Sequence, residues 1–427
     1  MNILYISQYY PPETGAGATR AEAITNHFAN RGWEVDVLCE FPNYPTGKIS
    51  EEYNGKWVKQ TVRGNLKINQ VWVYATPREN SLQQMQLFGS FVASSLSFLM
   101  MNPKQYDLIY VSSPPISGAV TAAFYSWLSG IPWVFEVRDL WPDAGLGSGT
   151  FSRKSLLYRI SKSIEKQLYK RASAVVPVTK AAAEIVRQTS TDTKTFVVHN
   201  GVDCQRFKPG ITSLPEDIQQ NDDATGTAKK FRVGYIGSVG IIHDFNALVQ
   251  AALLCKDDPE IEFVIIGDGS QRHKLQHLLD LHKPGNVKWL GLRPHEEVPA
   301  YINSFDLGIN PVRKVKAFES IITVKFFEYL ACNVPVVSLA GGTLRAVGES
   351  SGSAITLQPG DYEGMAATIK RLKNNPEELA RLKEGARDFV KDHFDRASLS
   401  EKLAVMLEEF VGTGKLPAQV SDNEHVY

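Results

Sequence analysis

The chain has 427 residues, 46 Lys and Arg against 46 Asp and Glu, 43% hydrophobic and 22% charged residues. That length exceeds what one core normally serves, so two domains are expected, and the balanced charge gives no general attraction to nucleic acid. Cys39, Cys204, Cys255 and Cys332 are scattered without CxxC or Cys/His metal spacing, which points to a reduced, cytoplasmic protein without structural zinc.

Ile3 to Ile6 reads as a first strand, since Met1 to Ser7 lacks the basic start and the apolar length of a signal peptide. A Pro/Gly-rich loop from Pro11 to Gly17 follows, then a helix from Thr19 to Asn30 that stops at Arg31-Gly32. Glu34 to Leu38 is a strand, Phe41 to Gly47 a turn-rich loop, Asn65 to Tyr74 a strand, and Leu82 to Met101 an apolar helix. Between Asp107 and Glu136 there is no charge. That stretch is long enough to span a bilayer, but Ser112 to Pro115 and Gly130 to Pro132 cut it. It reads as a βαβ unit: strand Leu108 to Val111, helix Ser117 to Ser129, strand Trp133 to Val137. A helix from Lys154 to Arg171, strand Ala174 to Val178, helix Ala181 to Gln188 and strand Thr195 to His199 come next.

Pro209 to Lys230 is polar and aperiodic, as a linker is. The alternation restarts with strands Arg232 to Ile236, Glu262 to Gly267, Val287 to Leu290 and Leu307 to Asn310. Between them lie helices Asn246 to Cys255, Gln271 to His282 and Val298 to Ser304. Ser353 to Leu357 is a last strand, followed by helices Tyr362 to Asn374, Pro376 to His393 and Ser398 to Val411. The expected class is α/β: two doubly wound Rossmann-like domains facing across a cleft, with the ligand at the strand ends. The expected boundaries are a first domain over 1–208, a linker over 209–230, a second domain over 231–393, a helix over 394–411 packing back on the first domain, and a disordered tail over 412–427.

The stretch Phe318 to Val337 reads as loop, helix, then a buried strand from Val334 to Leu339. Thr323 is the expected N-cap. Lys325, Glu328 and Cys332 share one helix face, Val324, Phe327 and Ala331 line the other and would pack on the sheet, and Glu319 lies upstream in the loop. Carboxylates around a cation at a sheet's carboxyl edge suit a phosphorylated, polyhydroxylated ligand; the same trio also suits an ordinary surface helix with a Lys325–Glu328 pair. Three glycine turns follow strands: Gly15-Ala16-Gly17, Gly234 to Gly240 with Gly237, and Gly267-Asp268-Gly269. Each presents N–H groups to a phosphate or simply turns the chain. Arg20 stands where a nicotinamide-binding fingerprint needs its third glycine.

Gln8 to Gly15 with Ala18-Thr19-Arg20, Phe41 to Pro45, Val137 to Pro142, His199 to Asp203 with Phe207, Gly267 to Gly269 and Glu319 to Val337 together resemble the family 4 (group 1) glycosyltransferases of the GT-B fold. Within these the chain looks like the O-antigen and colanic-acid type, over nearly its whole length. The resemblance implies retaining transfer of a sugar from a UDP- or GDP-sugar donor to a hydroxyl, without cofactor or bound metal. It implies that Glu328 binds ribose hydroxyls, Glu319 contacts the donor sugar, Lys325 meets the diphosphate, and the Gly15–Gly17 loop covers the phosphates. There are departures. Glu319 and Glu328 have eight residues between them where the family has seven, Ser238 and His243 stand where many members carry Arg and Lys, and Arg138-Asp139 stands in place of a His. Arg313 is a further candidate phosphate cation. Asp139 either orients the acceptor hydroxyl or sugar, or caps the Trp141-Pro142 turn.

Arg153 to Arg171 is basic with one acid, and Leu156, Ile160, Ile164 and Leu168 recur at helical spacing. With 82–101 beside it, this segment either rests on the cytoplasmic face of the inner membrane, where a polyprenyl-diphosphate-linked glycan acceptor resides, or packs its stripe on the sheet. Two other functions stay open: a sugar-nucleotide epimerase and a non-catalytic sugar-binding protein.

Overall fold

The computed structural model describes residues 1–13, 15–43, 46–77, 81–143, 154–211, 215–218 and 230–416. Thr14, Tyr44, Pro45, Arg153, most of the expected linker and the tail from 417 lie outside them. The chain divides into two compact units, one of Met1–Asn200 with the segment from Arg396, the other of Gly201–Asp395. The division falls before Gly201 rather than after 208, because Val202, Cys204 and Phe207 are buried in the second unit's core.

In the first unit the strands are β1 (Asn2–Ser7), β2 (Glu34–Glu40), β3 (Val58–Arg63), β4 (Leu66–Val71), β5 (Leu108–Ser113), β6 (Trp133–Val137) and β7 (Ala174–Pro177). The helices are α1 (Ala16–Asn30), α2 (Ser81–Met101), α3 (Ser117–Ser129), α4 (Leu156–Arg171) and α5 (Lys180–Thr189). The sheet order is β3-β4-β2-β1-β5-β6-β7, parallel except for β3. Alternation along β1 sends Ile3 and Tyr5 to one face and Leu4 and Ile6 to the other. The first face is covered by Ile24 and Phe28 of α1, the second by Leu87 and Phe91 of α2. Each such fully buried side chain contributes about 1.5–3 kcal/mol, which is why these strands read as unbroken apolar runs.

The second unit holds strands β8 (Phe231–Ile236), β9 (Ile261–Ile266), β10 (Val287–Gly291), β11 (Leu307–Pro311), β12 (Val336–Leu339) and β13 (Ala354–Leu357). Its helices are α6 (Phe245–Leu254), α7 (Arg272–His282), α8 (Val298–Asn303), α9 (Val324–Ala331), α10 (Gly342–Ser351), α11 (Tyr362–Asn374), α12 (Pro376–Lys383) and α13 (Ala386–Phe394). The order β10-β9-β8-β11-β12-β13 is parallel throughout. The last helix, α14 (Arg396–Thr413), returns to the first unit: Leu399, Leu403 and Leu407 join the α1 cluster, and Arg31 pairs with Glu401 and Glu408.

Several elements differ from expectation. The single helix over Pro376 to His393 is two, broken at Glu384-Gly385, where Gly385 takes φ +74°. Thr195 to His199 runs along β7, with Phe196 and Val198 donating to Val175 and Pro177, but pairs regularly only at Thr195. The Val334–Leu339 strand is shorter, as β12. β3 and α10 were not expected. The uncharged stretch is the βαβ unit β5-α3-β6, and no helix among the described residues is long and apolar enough to cross a membrane.

Candidate active site

The carboxyl ends of β8 and β9 meet in two glycine turns. Gly267, at φ +127°, lies so close to Gly237 that any Cβ there would run into the Gly237 carbonyl. A side chain at Gly237 would in turn stand 3.1 Å from the Lys325 ammonium. Close approach therefore demands glycine at 267, while at 237 the φ of +133° favours it, and the Gly237 backbone lies against Lys325. Ser238 is exposed, its carbonyl taking a 2.6 Å hydrogen bond from the Tyr235 hydroxyl.

α9 supplies the cation. Phe326, Phe327, Tyr329, Leu330 and Ala331 are buried, Val324 only half so, and Phe327 stacks on Phe394 of α13 at 4.2 Å. The two-faced helix expected from the sequence is thus enclosed on most sides, and Lys325 is itself buried at 7% exposure. Cys332 sits in the core and not on a ligand-facing stripe. Thr323 stands at the N-cap with its carbonyl accepting from Phe326 N–H at 3.1 Å but no side-chain bond to the helix; its hydroxyl instead accepts a 2.8 Å bond from Asn310 Nδ2, which ties the helix start to the end of β11. At the other end Arg387 donates to the carbonyls of Ala331, Phe207 and Cys204.

The Lys325 ammonium lies 3.0 Å from His243 Nε2 and 3.7 Å from the centre of the Tyr235 ring. Burial holds Lys325 well below the ordinary lysine range, the Glu328 carboxylate pulling it partly back. Burial, then the Lys325 charge, hold His243 well below the ordinary imidazole range. The imidazole is thus neutral at pH 7 and accepts the lysine's hydrogen bond. His243 is a partner of the cation and not a replacement for a second one. Glu328 is half-buried one turn beyond Lys325. Glu319 is exposed beside the N-terminus of α10, with its carbonyl accepting from Thr343 N–H at 2.7 Å. Arg313 is exposed at the end of β11 and donates to the Ile241 carbonyl at 3.2 Å. The turns bring together Gly237, Ser238, His243, Gly267, Lys325 and Glu328. Sequence reasoning missed Tyr235 and Asn310; the Gly-Tyr-Ile-Gly spacing, which puts Tyr235 on the opposite face of β8 from Ile236, was the signal for the first.

In the first unit the same strand edge carries the other predicted group. Gly15 is the N-cap of α1 at φ +133°. Gly17 is packed against the Arg138 guanidinium, so a Cβ there would strike it. Arg138 donates to the Pro114 carbonyl at 2.9 Å. Asp139 is half-buried and makes no hydrogen bond among the described residues. Burial pushes its carboxyl up, with Arg138 drawing it partly back. Beneath lies a pair that the motif reading treated only as a lost glycine. Arg20, 3% exposed, bonds Glu136 at 2.8 Å and donates to the carbonyls of Val198, His199 and Asn200. Burial alone would raise the Glu136 carboxyl; Arg20 overrides it, with help from Arg138, and holds it below the usual carboxylate range.

Comparison with known proteins identifies the family and the fold. Residues 15–201 match the glycosyl transferase 4-like domain, and residues 217–389 match the glycosyl transferases group 1 domain. WcaI of Escherichia coli K12, a glycosyl transferase assigned to colanic acid biosynthesis, is 23% identical over 379 residues, 87% of this chain and 92% of its own. Sucrose-phosphate synthase from Thermosynechococcus elongatus superposes with a TM-score of 0.76 at 16% identity, covering 96% of this chain and 99% of the other. HepE from Anabaena, solved in complex with UDP-glucose, does so at 0.68 and 19% identity, covering 96% and 100%. With both of its units matched and each built on a largely parallel sheet, the chain belongs to the group 1 glycosyltransferases and has the GT-B fold.

Proposed function

We propose that the protein moves a sugar from a nucleoside diphosphate sugar, UDP- or GDP-linked, to a hydroxyl of a polyprenyl-diphosphate-linked glycan in cell-surface polysaccharide synthesis. Transfer retains the anomeric configuration and uses no bound metal. The acceptor oxygen bonds the anomeric carbon as the bond to the β-phosphate oxygen breaks, and a nucleoside diphosphate and a proton leave.

The observation that carries this reading is the buried Lys325 ammonium under the bare backbone of Gly237, with Glu328 one turn on. A fixed cation and N–H donors aimed at the leaving diphosphate stabilise the charge that develops there. Glu328 takes the ribose hydroxyls, Glu319 the donor sugar, and Arg138 and Asp139 orient the acceptor. HepE, solved with UDP-glucose, and WcaI, assigned to colanic acid biosynthesis, support the donor and polysaccharide assignments.

Contact with an anionic bilayer is supported by the first unit's exposed apolar side chains. Leu156, Ile160 and Ile164 of α4 are 70%, 47% and 39% exposed, so only Leu168 of the stripe packs inward. Trp127 of α3 and Met100 and Met101 of α2 are exposed as well. Arg159, Lys166, Lys170 and Arg171 stand among them.

A thermal-shift comparison of UDP, GDP and ADP tests the donor site, and absence of a shift with all three rejects it. Labelled donors with and without a polyprenyl-diphosphate sugar test transfer; nucleotide release that ignores the acceptor, or an isomerised donor, rejects it. Liposome flotation at low salt tests membrane contact, which failure to bind acidic vesicles rejects.

A further inference from the structure

The first unit holds a cavity that the reaction chemistry above does not use. It has a volume of 330 Å³ and lies where β2 and β4 end and β3 begins, with Phe41 and Tyr53 as its floor and Asn54, Lys56, Trp57 and Trp72 as its rim. Trp57 and Trp72 are paired across the β3–β4 hairpin, the Trp72 N–H donating to the Trp57 carbonyl at 2.9 Å, and their rings stack at 5.6 Å and 16°. Despite their size they are 45% and 36% exposed. Cross-strand stacking alone explains the pair's contact with each other, at about 0.2–1 kcal/mol, but not a concave site beside it.

We infer that this cavity binds a sugar ring of the acceptor glycan, remote from the reacting hydroxyl, by stacking the ring's apolar face on the Trp57–Trp72 platform. The inference deepens the glycosyltransferase reading and rests on it. The volume of 330 Å³ is at the lower end of small-molecule sites and admits a single sugar ring. The mixture is that of a carbohydrate site: flat aromatic faces for C–H groups, and an exposed amide (Asn54) and ammonium (Lys56) for hydroxyls. A bilayer anchor needs a convex aromatic tip, whereas these indoles line a hollow with a polar rim. The position also fits. β1, β2 and β4 are parallel, so the cavity shares the carboxyl edge of the sheet with Gly17 and Arg138. Buried hydrogen bonds stiffen this edge beside the cavity: Asn43 donates to the Phe41 carbonyl at 2.9 Å, Gln8 and Asn43 both donate to Glu40, at 2.6 and 2.8 Å, and the Asn43 N–H donates to Glu13 at 2.7 Å. A glycan seated on the indoles therefore runs along one rigid edge towards the acceptor-orienting residues.

The test uses an array of short bacterial surface oligosaccharides, with the full chain as wild type, Trp57→Ala/Trp72→Ala and Asn54→Ala/Lys56→Ala. Wild type is expected to bind at least one glycan, each variant about tenfold more weakly. The UDP thermal shift is expected to stay unchanged in both variants. That shift separates the two ideas: its loss in wild type removes the donor-site reading, whereas its retention without array binding removes only this one. Glycan binding that survives both variants overturns the proposal. So does a tryptophan variant that loses binding to acidic vesicles while keeping glycan binding, which makes the indoles a membrane anchor.

Discussion

Replacing Lys325 and His243 together, by Lys325→Met and His243→Phe, is expected to stabilise the ligand-free protein while abolishing nucleotide binding. The two side chains are 7% and 8% exposed and their polar contact is with each other at 3.0 Å. Desolvating the ammonium costs several kcal/mol. Against that, the hydrogen bond to a neutral imidazole returns about 1.5–3 kcal/mol, and the Tyr235 ring about 0.5–2 kcal/mol. Lys325→Met alone strands the His243 acceptor, costing about 1–3 kcal/mol, and is expected near neutral. The double replacement removes the orphan, and Phe at 243 keeps the edge-on packing against Tyr235 and Phe245. A gain of about 1–4 kcal/mol is expected. The pH dependence has a definite sign. Both groups have folded pKa values below their unfolded ones, so the unfolded state binds more protons and wild-type stability rises with pH through each window. For His243 the window ends near the unfolded value of about 6.5, for Lys325 near about 10.4. The variant's advantage is thus largest in acid and shrinks as pH rises. In the same thermal assay wild type is expected to gain about 2.7 kcal/mol from UDP at a hundredfold excess over Kd, and the variant nothing. A variant less stable than wild type across this range, or one that keeps the UDP shift, refutes the reasoning.

Glu328→Ala is expected to weaken UDP binding about ten- to a hundredfold by equilibrium titration, with unchanged circular dichroism, since a ribose hydroxyl loses a charged acceptor. Gly267→Ala is expected to cost about 2–5 kcal/mol in urea unfolding, because the new methyl meets the Gly237 carbonyl at an unfavourable φ. Glu136→Gln is expected to cost about 3–5 kcal/mol at pH 7 by leaving Arg20 buried without its counter-charge. Because the folded Glu136 pKa is lowered, its contribution is whole above the unfolded value of about 4.3 and is lost as pH falls towards the folded one. The difference between wild type and Glu136→Gln therefore narrows in acid.

What the sequence made legible follows from burial. Strands covered on both faces read as apolar runs, so the parallel strands of both units stood out, down to β12 in Val336–Leu339. β3 did not, because Val58-Lys59-Gln60-Thr61-Val62-Arg63 is an edge strand with one neighbour, and Val62 is 66% exposed. α10 begins at Gly341-Gly342-Thr343, a loop signal with no side-chain cap; its first turn is held by Glu319, from outside the helix. Gly385 did carry a break signal, overridden by the apolar periodicity on either side of it. In the candidate site, the family motif pointed to Lys325 and Glu328 but not to the burial of Lys325. A lysine three residues before a glutamate reads as a surface pair, and Tyr235, Gly237 and His243, which help to enclose it, are distant in sequence.

That enclosure gives meaning to the departure at Ser238 and His243. Two exposed cations there would hold a diphosphate by standing charge. Here burial holds both His243 and Lys325 well below their ordinary ranges, so the Lys325 charge is held less firmly than that of an exposed lysine. If the proposed donor site holds, an arriving diphosphate is expected to raise the pKa of Lys325 back towards its ordinary value, and binding to take up a proton where the pH lies between the two values. Calorimetric titration of UDP in buffers of different ionisation enthalpy reads that uptake directly. A binding enthalpy independent of the buffer means that no proton is taken up at that pH, and the coupling of diphosphate binding to Lys325 fails.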